Sequence, residues 1–333
     1  MQATGQPLTL RDVPIPHIGR GEALVETRTC GICGTDLHIL AGHGYVPPLP
    51  HILGHEPAGV VAEVGEGVTN VRPGDRVAPH LFFNCGRCYF CRVGRQQQCT
   101  DLHGILGVLC PGAFAEYFKV PAENLLPLPA SVGFDAGGLV ADAVLTSVHA
   151  VKRAQLGLGD WAVIIGAGGI GQVLTQILAA SGVRVAATAR SADKLEIVKT
   201  MGASIALRAS TRETLDTILQ STGGGARCVF DCVGTAQSMA DAVSYLTRGG
   251  RIVVIGEEPE FPPIDTIQIA QKELEIIGSR NGTRQDMVEA IALLESGVVK
   301  PRIAARFPLE QVNEALEATR TGSAGRVVVV VKE

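Results

Sequence analysis

Hydrophobic positions along the chain fall into two textures. Over residues 1–143 they come as short, Val-rich runs, GEALVETRTC, GVVAEVGEGV, PGDRVAPH and FAEYFKVP, each bounded by Gly or Pro. Such runs predict short strands in an irregular, β-rich domain. Over residues 144–283 the pattern changes. WAVIIGAGGIGQVLTQILAASGVRVAATAR reads as a buried strand, a glycine turn, a helix and a second strand. CVFDCVG and RIVVIG are further apolar runs, spaced by the helix-like DKLEIVKTMGA and SMADAVSYLTRGG. Strands alternating with helices predict a parallel, doubly wound sheet, so the chain is of the α/β class. The tail, 284–333, is mixed: DMVEAIALLESG and LEQVNEALEATR have helical periodicity, and RVVVVV is a closing strand. The expected organisation is a β-rich domain of 1–143 with 284–333, interrupted by a doubly wound domain of 144–283.

Composition agrees with this division and removes several function classes. A chain of 333 residues suits two domains of roughly 150 residues, each able to bury its own core. Lys and Arg number 29 against 33 Asp and Glu, a net charge of −4 with no basic run, so neither nucleic acid nor an acidic membrane is an expected partner. The first residues, MQATGQPLTLRDVPIP, have neither the basic nor the apolar region of a signal peptide. The longest apolar runs, such as Val327 to Val331, are strand-sized rather than membrane-spanning, and a cytoplasmic protein is expected.

Nine cysteines in a large chain without a leader point to metal rather than disulfides. Cys85, Cys88, Cys91 and Cys99 form a C-x2-C-x2-C-x7-C run in NCGRCYFCRVGRQQQC. Four thiolates this close can enclose one tetrahedral Zn²⁺ and leave no open position, the character of a structural site. An iron–sulfur cluster also uses dense cysteines, but no Pro follows the last one and the host chain carries a nicotinamide fingerprint. Four thiolates on Zn²⁺ leave a local charge of −2, which Arg87, Arg92 and Arg95 within the lobe are placed to offset. A second set is dispersed: Cys33 in CGICGTDLH, and His55 with Glu56 in LGHEPAGVV. Thiolate and imidazole are good zinc ligands, and a third ligand plus water would make an open, catalytic site, although spacing alone does not bring them together.

Gly166-Ala167-Gly168-Gly169-Ile170-Gly171 follows a strand and opens a helix, the context a dinucleotide-binding turn requires. Its first glycine permits the tight turn, the second lets the backbone approach a pyrophosphate, and the third lets helix and strand pack closely. An acid normally ends the second strand and holds the ribose 2′-OH. Here Ala189 fills that slot, followed by Arg190 and Ser191, with no acid before Asp193. A cation and a hydroxyl favour NADP(H) over NAD(H); the alternative is that Arg190 stacks on adenine and both cofactors are accepted.

CGICGTDLH, GHEPAGVVAEVGEGV, the cysteine lobe and VIIGAGGIG occur in the order and spacing of the zinc-containing medium-chain dehydrogenase/reductase family, and the whole chain resembles it. The resemblance implies a GroES-like catalytic domain (1–143 and 284–333, with the zinc lobe at 85–99) and a Rossmann coenzyme domain (144–283). It implies two Zn²⁺ per chain and hydride transfer between a nicotinamide cofactor and an alcohol, ketone or aldehyde; polyol- and threonine-type enzymes of the family are alternatives. A zinc-free enoyl or quinone reductase on the same fold is disfavoured by the GHE pair and the cysteine lobe.

By the same resemblance Cys33 and His55 are catalytic-zinc ligands, and Glu56 is the adjacent acid able to approach the metal. Asp142 fills the third-ligand slot, where many members carry Cys. Thr35 and His38 match the proton relay that runs through the cofactor ribose, and Asp36 the acid that orients the ligand His. Thr146 matches a residue packed near the nicotinamide, and Arg326 one that reaches the pyrophosphate. Leu81 and Phe114 resemble apolar pocket residues, with His43 or Tyr45 nearby. No Arg or Lys stands beside the metal motifs to hold an anionic substrate, so a neutral alcohol or carbonyl compound is expected. Relatives assemble through their coenzyme domains as homodimers or homotetramers, and RIVVIGEEPEFPPIDTIQIAQKELEIIGS is the candidate interface. The N-terminus is a few residues shorter than is usual, so an incomplete first strand is expected.

Overall fold

A computed structural model describes all 333 residues and divides them into two compact units: Met1–Leu145 with Gly282–Glu333, and Thr146–Asn281. The borders fall two residues from the expected ones, the first inside a helix, Ala143–Ala154, that continues across it.

The first unit is built on a seven-stranded sheet. Its main path runs Ile303–Pro308, Arg326–Val330, Glu22–Ile32, Glu56–Val64, Arg76–Pro79 and Leu125–Pro127, with Tyr117–Pro121 also pairing Glu22–Ile32. Glu22–Ile32 is long enough to serve three neighbours because bulges at Leu24/Val25 and Thr27/Thr29 bend it. Ala23, Val25, Cys30 and Ile32 pack with Val61, Val77, Phe118 and Val329 into one core. A separate two-stranded pair, Phe82–Phe83 with Gly104–Ile105, closes the neck of the loop that carries the four cysteines. Residues 1–19 contain no strand.

The second unit is a six-stranded sheet, every pair parallel. Across it lie Ile205–Arg208, Arg184–Ala189, Trp161–Ile165, Ala226–Asp231, Leu246–Val254 and Glu275–Gly278. Numbered along the chain, this is the 3-2-1-4-5-6 order of a dinucleotide-binding sheet, whose switch point lies between Trp161–Ile165 and Ala226–Asp231. Apolar residues on the two faces form two cores, one around Ile164, Leu174 and Phe230, the other around Val163, Val229 and Ile252.

One expected element is corrected. SMADAVSYLTRGG is not helical throughout: its helix, Ala236–Tyr245, stops at Tyr245, and Leu246 is already extended and paired with Ala226. Leu246 is buried in the sheet core, and Gly249 takes a positive φ, so burial and backbone geometry both favour strand over helix there. No single helix is long and apolar enough to cross a membrane.

Candidate metal and cofactor sites

The dispersed ligand set converges. Ligand atoms of Cys33, His55, Glu56 and Asp142 all lie within 4.8 Å of one another. Cys33 Sγ is 3.3 Å from Asp142 Oδ2, and His55 Nε2 is 3.7 Å from the same oxygen. Local structure explains the convergence. Cys33 caps the helix Gly34–Ala41, and Asp36, in its first turn, reaches back so that Oδ2 accepts the Cys33 amide at 3.0 Å. Asp36 Oδ1 accepts from the Gly54 amide at 3.3 Å and lies 3.1 Å from His55 Nδ1. One fully buried carboxylate therefore fixes both a thiol and an imidazole, and it leaves His55 Nε2 to face Cys33 and Asp142.

Glu56 lies opposite Gly31 on the adjacent strand, and a Cβ at Gly31 would overlap its carboxylate. Glu56 Oε2 pairs with Arg326, while Oε1 is buried without a partner. Burial pushes the Glu56 carboxyl up against the pull of Arg326. Burial likewise raises the Cys33 thiol, and the nearby Asp142 charge adds to the shift. A buried thiol and carboxyl group that resist ionisation, gathered with an imidazole beside an unsatisfied carboxylate oxygen, fit a divalent cation.

The cysteine lobe fits Zn²⁺ by its dimensions. A regular tetrahedron with Zn–S of about 2.3 Å has sulfur–sulfur edges of about 3.8 Å. The Sγ atoms are separated by 3.5 Å (Cys88–Cys91 and Cys85–Cys99), 3.8 Å (Cys88–Cys99) and 4.0 Å (Cys85–Cys91). Backbone amides of Cys85 and Asp101 each donate to Cys99 Sγ at 3.4 Å, and that of Cys88 donates to Cys85 Sγ at 3.4 Å. Amides of Cys91 and Thr100 hold the Cys88 thiol below its usual range, which favours thiolate.

In the second unit, Gly166 has φ +98°, and the helix Gly169–Ala180 starts directly after Gly168. A Cβ at Gly171 would overlap the Gly166 carbonyl oxygen, whereas one at Gly168 would meet nothing within 4 Å. Gly168 has φ −81° and ψ −162°, open to any residue. Neither strain nor packing within the protein therefore requires glycine there. Its open surface at a helix N-terminus fits the approach of a pyrophosphate. Ala189 ends its strand, Arg190 is exposed, and Ser191 caps the next helix without a side-chain cap bond.

Other expected site residues are placed as follows. Thr35 Oγ1 is 3.8 Å from Cys33 Sγ, and His38 lies on the same helix, one turn on. Leu81 and Phe114 are in the core of the first unit, and Phe114 packs against Gly54, next to His55. Thr146 is buried. Arg326 is buried and committed through Nη2 to Glu56, with Nε unpartnered. Within the lobe, Arg87 is held by Asp101 at 2.9 Å and also meets the Cys85 side chain, while Arg95 lies 5.8 Å over the Phe90 ring and Arg92 is exposed. Gly31, Asn84 and Arg284 went unnoticed; Gly31 alone had a signal, a glycine inside a strand pattern, which marks close approach.

A dinucleotide-binding sheet joined in one chain to a β-rich unit with one closed and one open donor set defines a metal-dependent dehydrogenase. Residues 19–130 match the family described as alcohol dehydrogenase GroES-like domain, and 169–296 that described as zinc-binding dehydrogenase. An alcohol dehydrogenase of Geobacillus stearothermophilus is 35% identical over 329 residues, covering 98% of this chain and 97% of the relative. An L-threonine 3-dehydrogenase of Bacillus velezensis is 34% identical, with 97% and 95% covered. The solved alcohol dehydrogenase of the hyperthermophilic archaeon Aeropyrum pernix superposes with a TM-score of 0.93 at 29% identity, over 99% of this chain and 98% of that one. The chain belongs to the zinc-containing alcohol dehydrogenase family of medium-chain dehydrogenases/reductases. It is a zinc-dependent oxidoreductase that moves hydride between NAD(P) and an alcohol or carbonyl compound.

Proposed function

We propose that Cys33, His55 and Asp142 hold a catalytic zinc, that the four-cysteine lobe holds a structural one, and that the preferred cofactor is NADP(H). The observation that carries the first claim is the meeting of Cys33, His55, Glu56 and Asp142 donor atoms within 4.8 Å in a chain of this family. Zn²⁺ in such an open site is a Lewis acid that polarises an alcohol or carbonyl oxygen and lowers an alcohol's pKa.

The protein's residues do the rest. Asp36 fixes the orientation of His55, and Arg326 keeps the charge of Glu56 balanced while Glu56 Oε1 stays free. Thr35 would accept the substrate hydroxyl proton while passing on its own, and His38, one turn on along the same helix, would carry the charge toward solvent. Gly166, Gly168, Gly169, Ile170 and Gly171 would cradle the pyrophosphate, and Thr146 and Arg326 are the further residues assigned to the cofactor by the family resemblance. Leu81 and Phe114 form an apolar wall. With the buried Arg326 committed to Glu56, a neutral alcohol, ketone or aldehyde is favoured over threonine.

The NADP(H) preference is supported by the absence of an acid at Ala189 and by the exposed Arg190, with the half-buried Ser191 beside it. Arg208, the register partner of Ala189 on the neighbouring strand, adds a second exposed guanidinium at that sheet end. The test is kcat/KM for NADPH and NADH in the wild type and Arg190→Ala, over a panel of alcohols and ketones that includes threonine. A loss confined to NADPH supports the phosphate contact; equal losses for both cofactors overturn it.

The edge strand Glu275–Gly278 has an unpaired outer side, and Ile276 within it is exposed, as are Phe261, Ile264 and Ile267 in the segment that precedes it. That combination supports self-association into a homodimer, doubled into a homotetramer. All nine cysteines are free, which supports the reducing cytoplasm as the site of action.

A further inference from the structure

The cysteine lobe is bonded to a distant part of the chain. Asn84 Nδ2 donates to Cys91 Sγ at 3.6 Å, and Asn84 Oδ1 accepts from Arg284 Nη2 at 3.0 Å, across 200 residues of sequence. The same Nη2 donates to Asn124 Oδ1 at 3.0 Å and to Glu123 Oε1 at 2.9 Å. Asn124 in turn donates to the carbonyls of His80 (2.6 Å) and Phe82 (2.8 Å). The His80 ring closes the circuit: its Nε2–H donates to the Gly282 carbonyl at 3.0 Å. Gly282 is where the chain re-enters this unit, and a Cβ there would stand 2.6 Å from Leu145, in the helix that follows Asp142.

We propose that Arg284 is a positioning residue that, through Asn84, ties metal filling of the four-cysteine lobe to the chain return at Gly282. This rests on the reading that the lobe holds a metal ion. Four thiolates around a divalent cation carry a net −2; Arg87 meets the Cys85 side of the lobe, whereas Arg95 stacks on Phe90 and the Cys91 side is left to Asn84. Arg284 is the cation joined to a lobe sulfur through a single amide, which it polarises so that the N–H···S bond strengthens. A filled lobe fixes Cys91 Sγ as an acceptor for Asn84. An empty lobe releases Asn84, and Arg284 then loses one of the three acceptors that hold the return.

The test uses the full-length protein and two readouts that do not depend on turnover. The first is the rate of zinc release from the lobe to a chromogenic chelator, measured in the Cys33→Ser background. Arg284→Gln and Asn84→Ala are expected to release it about tenfold faster, the low end for loss of an outer-shell partner, with Arg284→Lys restoring part of the difference. Asn84→Ala keeps the Arg284 bonds to Glu123 and Asn124, so it tests the sulfur link even where Arg284→Gln fails to fold. The second is hydrogen exchange of the peptide spanning Gly282–Met287, expected to rise several-fold when the wild-type lobe is emptied. Unchanged exchange on emptying overturns the proposal, and so does release at the wild-type rate in both variants. A wild-type lobe without zinc as purified overturns the metal reading and the tether together, whereas a filled lobe with unaltered release overturns the tether alone.

Discussion

Two glycines three residues apart in the dinucleotide turn should fail in opposite ways when each is replaced by alanine. At Gly168 the backbone (φ −81°, ψ −162°) suits alanine, and a Cβ meets nothing within 4 Å. The only intrinsic penalty is alanine at a helix N-cap, about 1 kcal/mol or less, or about 3 °C in Tm. The added methyl projects into the space where the pyrophosphate must approach. Loss of one hydrogen bond to a charged group costs about 1.5–3 kcal/mol, which corresponds to a rise in cofactor KM of roughly 10- to 150-fold. At Gly171 the Cβ would overlap the carbonyl oxygen of Gly166 and stand 3.3 Å from Ile164 Cγ2. Overpacking against backbone costs about 2–3 kcal/mol, and Tm should fall by roughly 5–10 °C. Differential scanning fluorimetry and nicotinamide-fluorescence titration measure both quantities in each variant. If Gly168→Ala bound cofactor like the wild type, or lost as much stability as Gly171→Ala, the placement of the pyrophosphate would be wrong.

Four other perturbations have defined outcomes. Asp36→Asn replaces one acceptor oxygen with a donor amide facing buried N–H groups, and should weaken zinc binding at the Cys33–His55 site by about 10- to 100-fold while the lobe stays filled; competition with a chelator measures this. Asp142→Cys exchanges a hard oxygen ligand for a soft thiolate, and slower zinc release from that site is expected by the same assay. His80, pushed down to about 4 chiefly by burial, stays neutral in the fold, while the unfolded chain takes up a proton below the ordinary value of 6.5. Stability is therefore complete above that value and falls with pH through the window to about 4, by about 2 kcal/mol at pH 5; urea midpoints at pH 7.5 and 5.0 should show this component in the wild type and its absence in His80→Gln. Ile276→Lys puts a charge on the exposed edge strand and should lower the mass seen by light scattering; an unchanged mass would place the interface elsewhere.

How much was legible in the sequence depended on how local the chemistry is. The glycine turn and the cysteine lobe are contiguous, and each type of residue has a reason at its spacing, so both could be seen without a structure. The open donor set is not local: Cys33 and Asp142 are 109 residues apart, and only the family resemblance joined them. Among the elements, WAVII and RVVVVV were plain because apolar runs bounded by turns have few alternatives. Ile303–Pro308 was not, since a sheet-edge strand with every second residue exposed carries a weak apolar signal. SMADAVSYLTRGG misled because helical periodicity persists to Tyr245 and nothing local marks where Leu246 finds its partner strand. The Asn84–Arg284 link was invisible, because a polar pair 200 residues apart has no periodicity to betray it.

The central claim is that this dehydrogenase works through a metal ion held by Cys33, His55 and Asp142. Elemental analysis of the purified protein, repeated along a course of mild chelation with alcohol oxidation assayed at each step, tests it most directly. The account predicts about two zinc ions per chain, one from each donor set, with activity lost in step with the more weakly held ion and restored by adding Zn²⁺. Turnover that continued unchanged after that ion had left, with the cysteine lobe alone still filled, would contradict it.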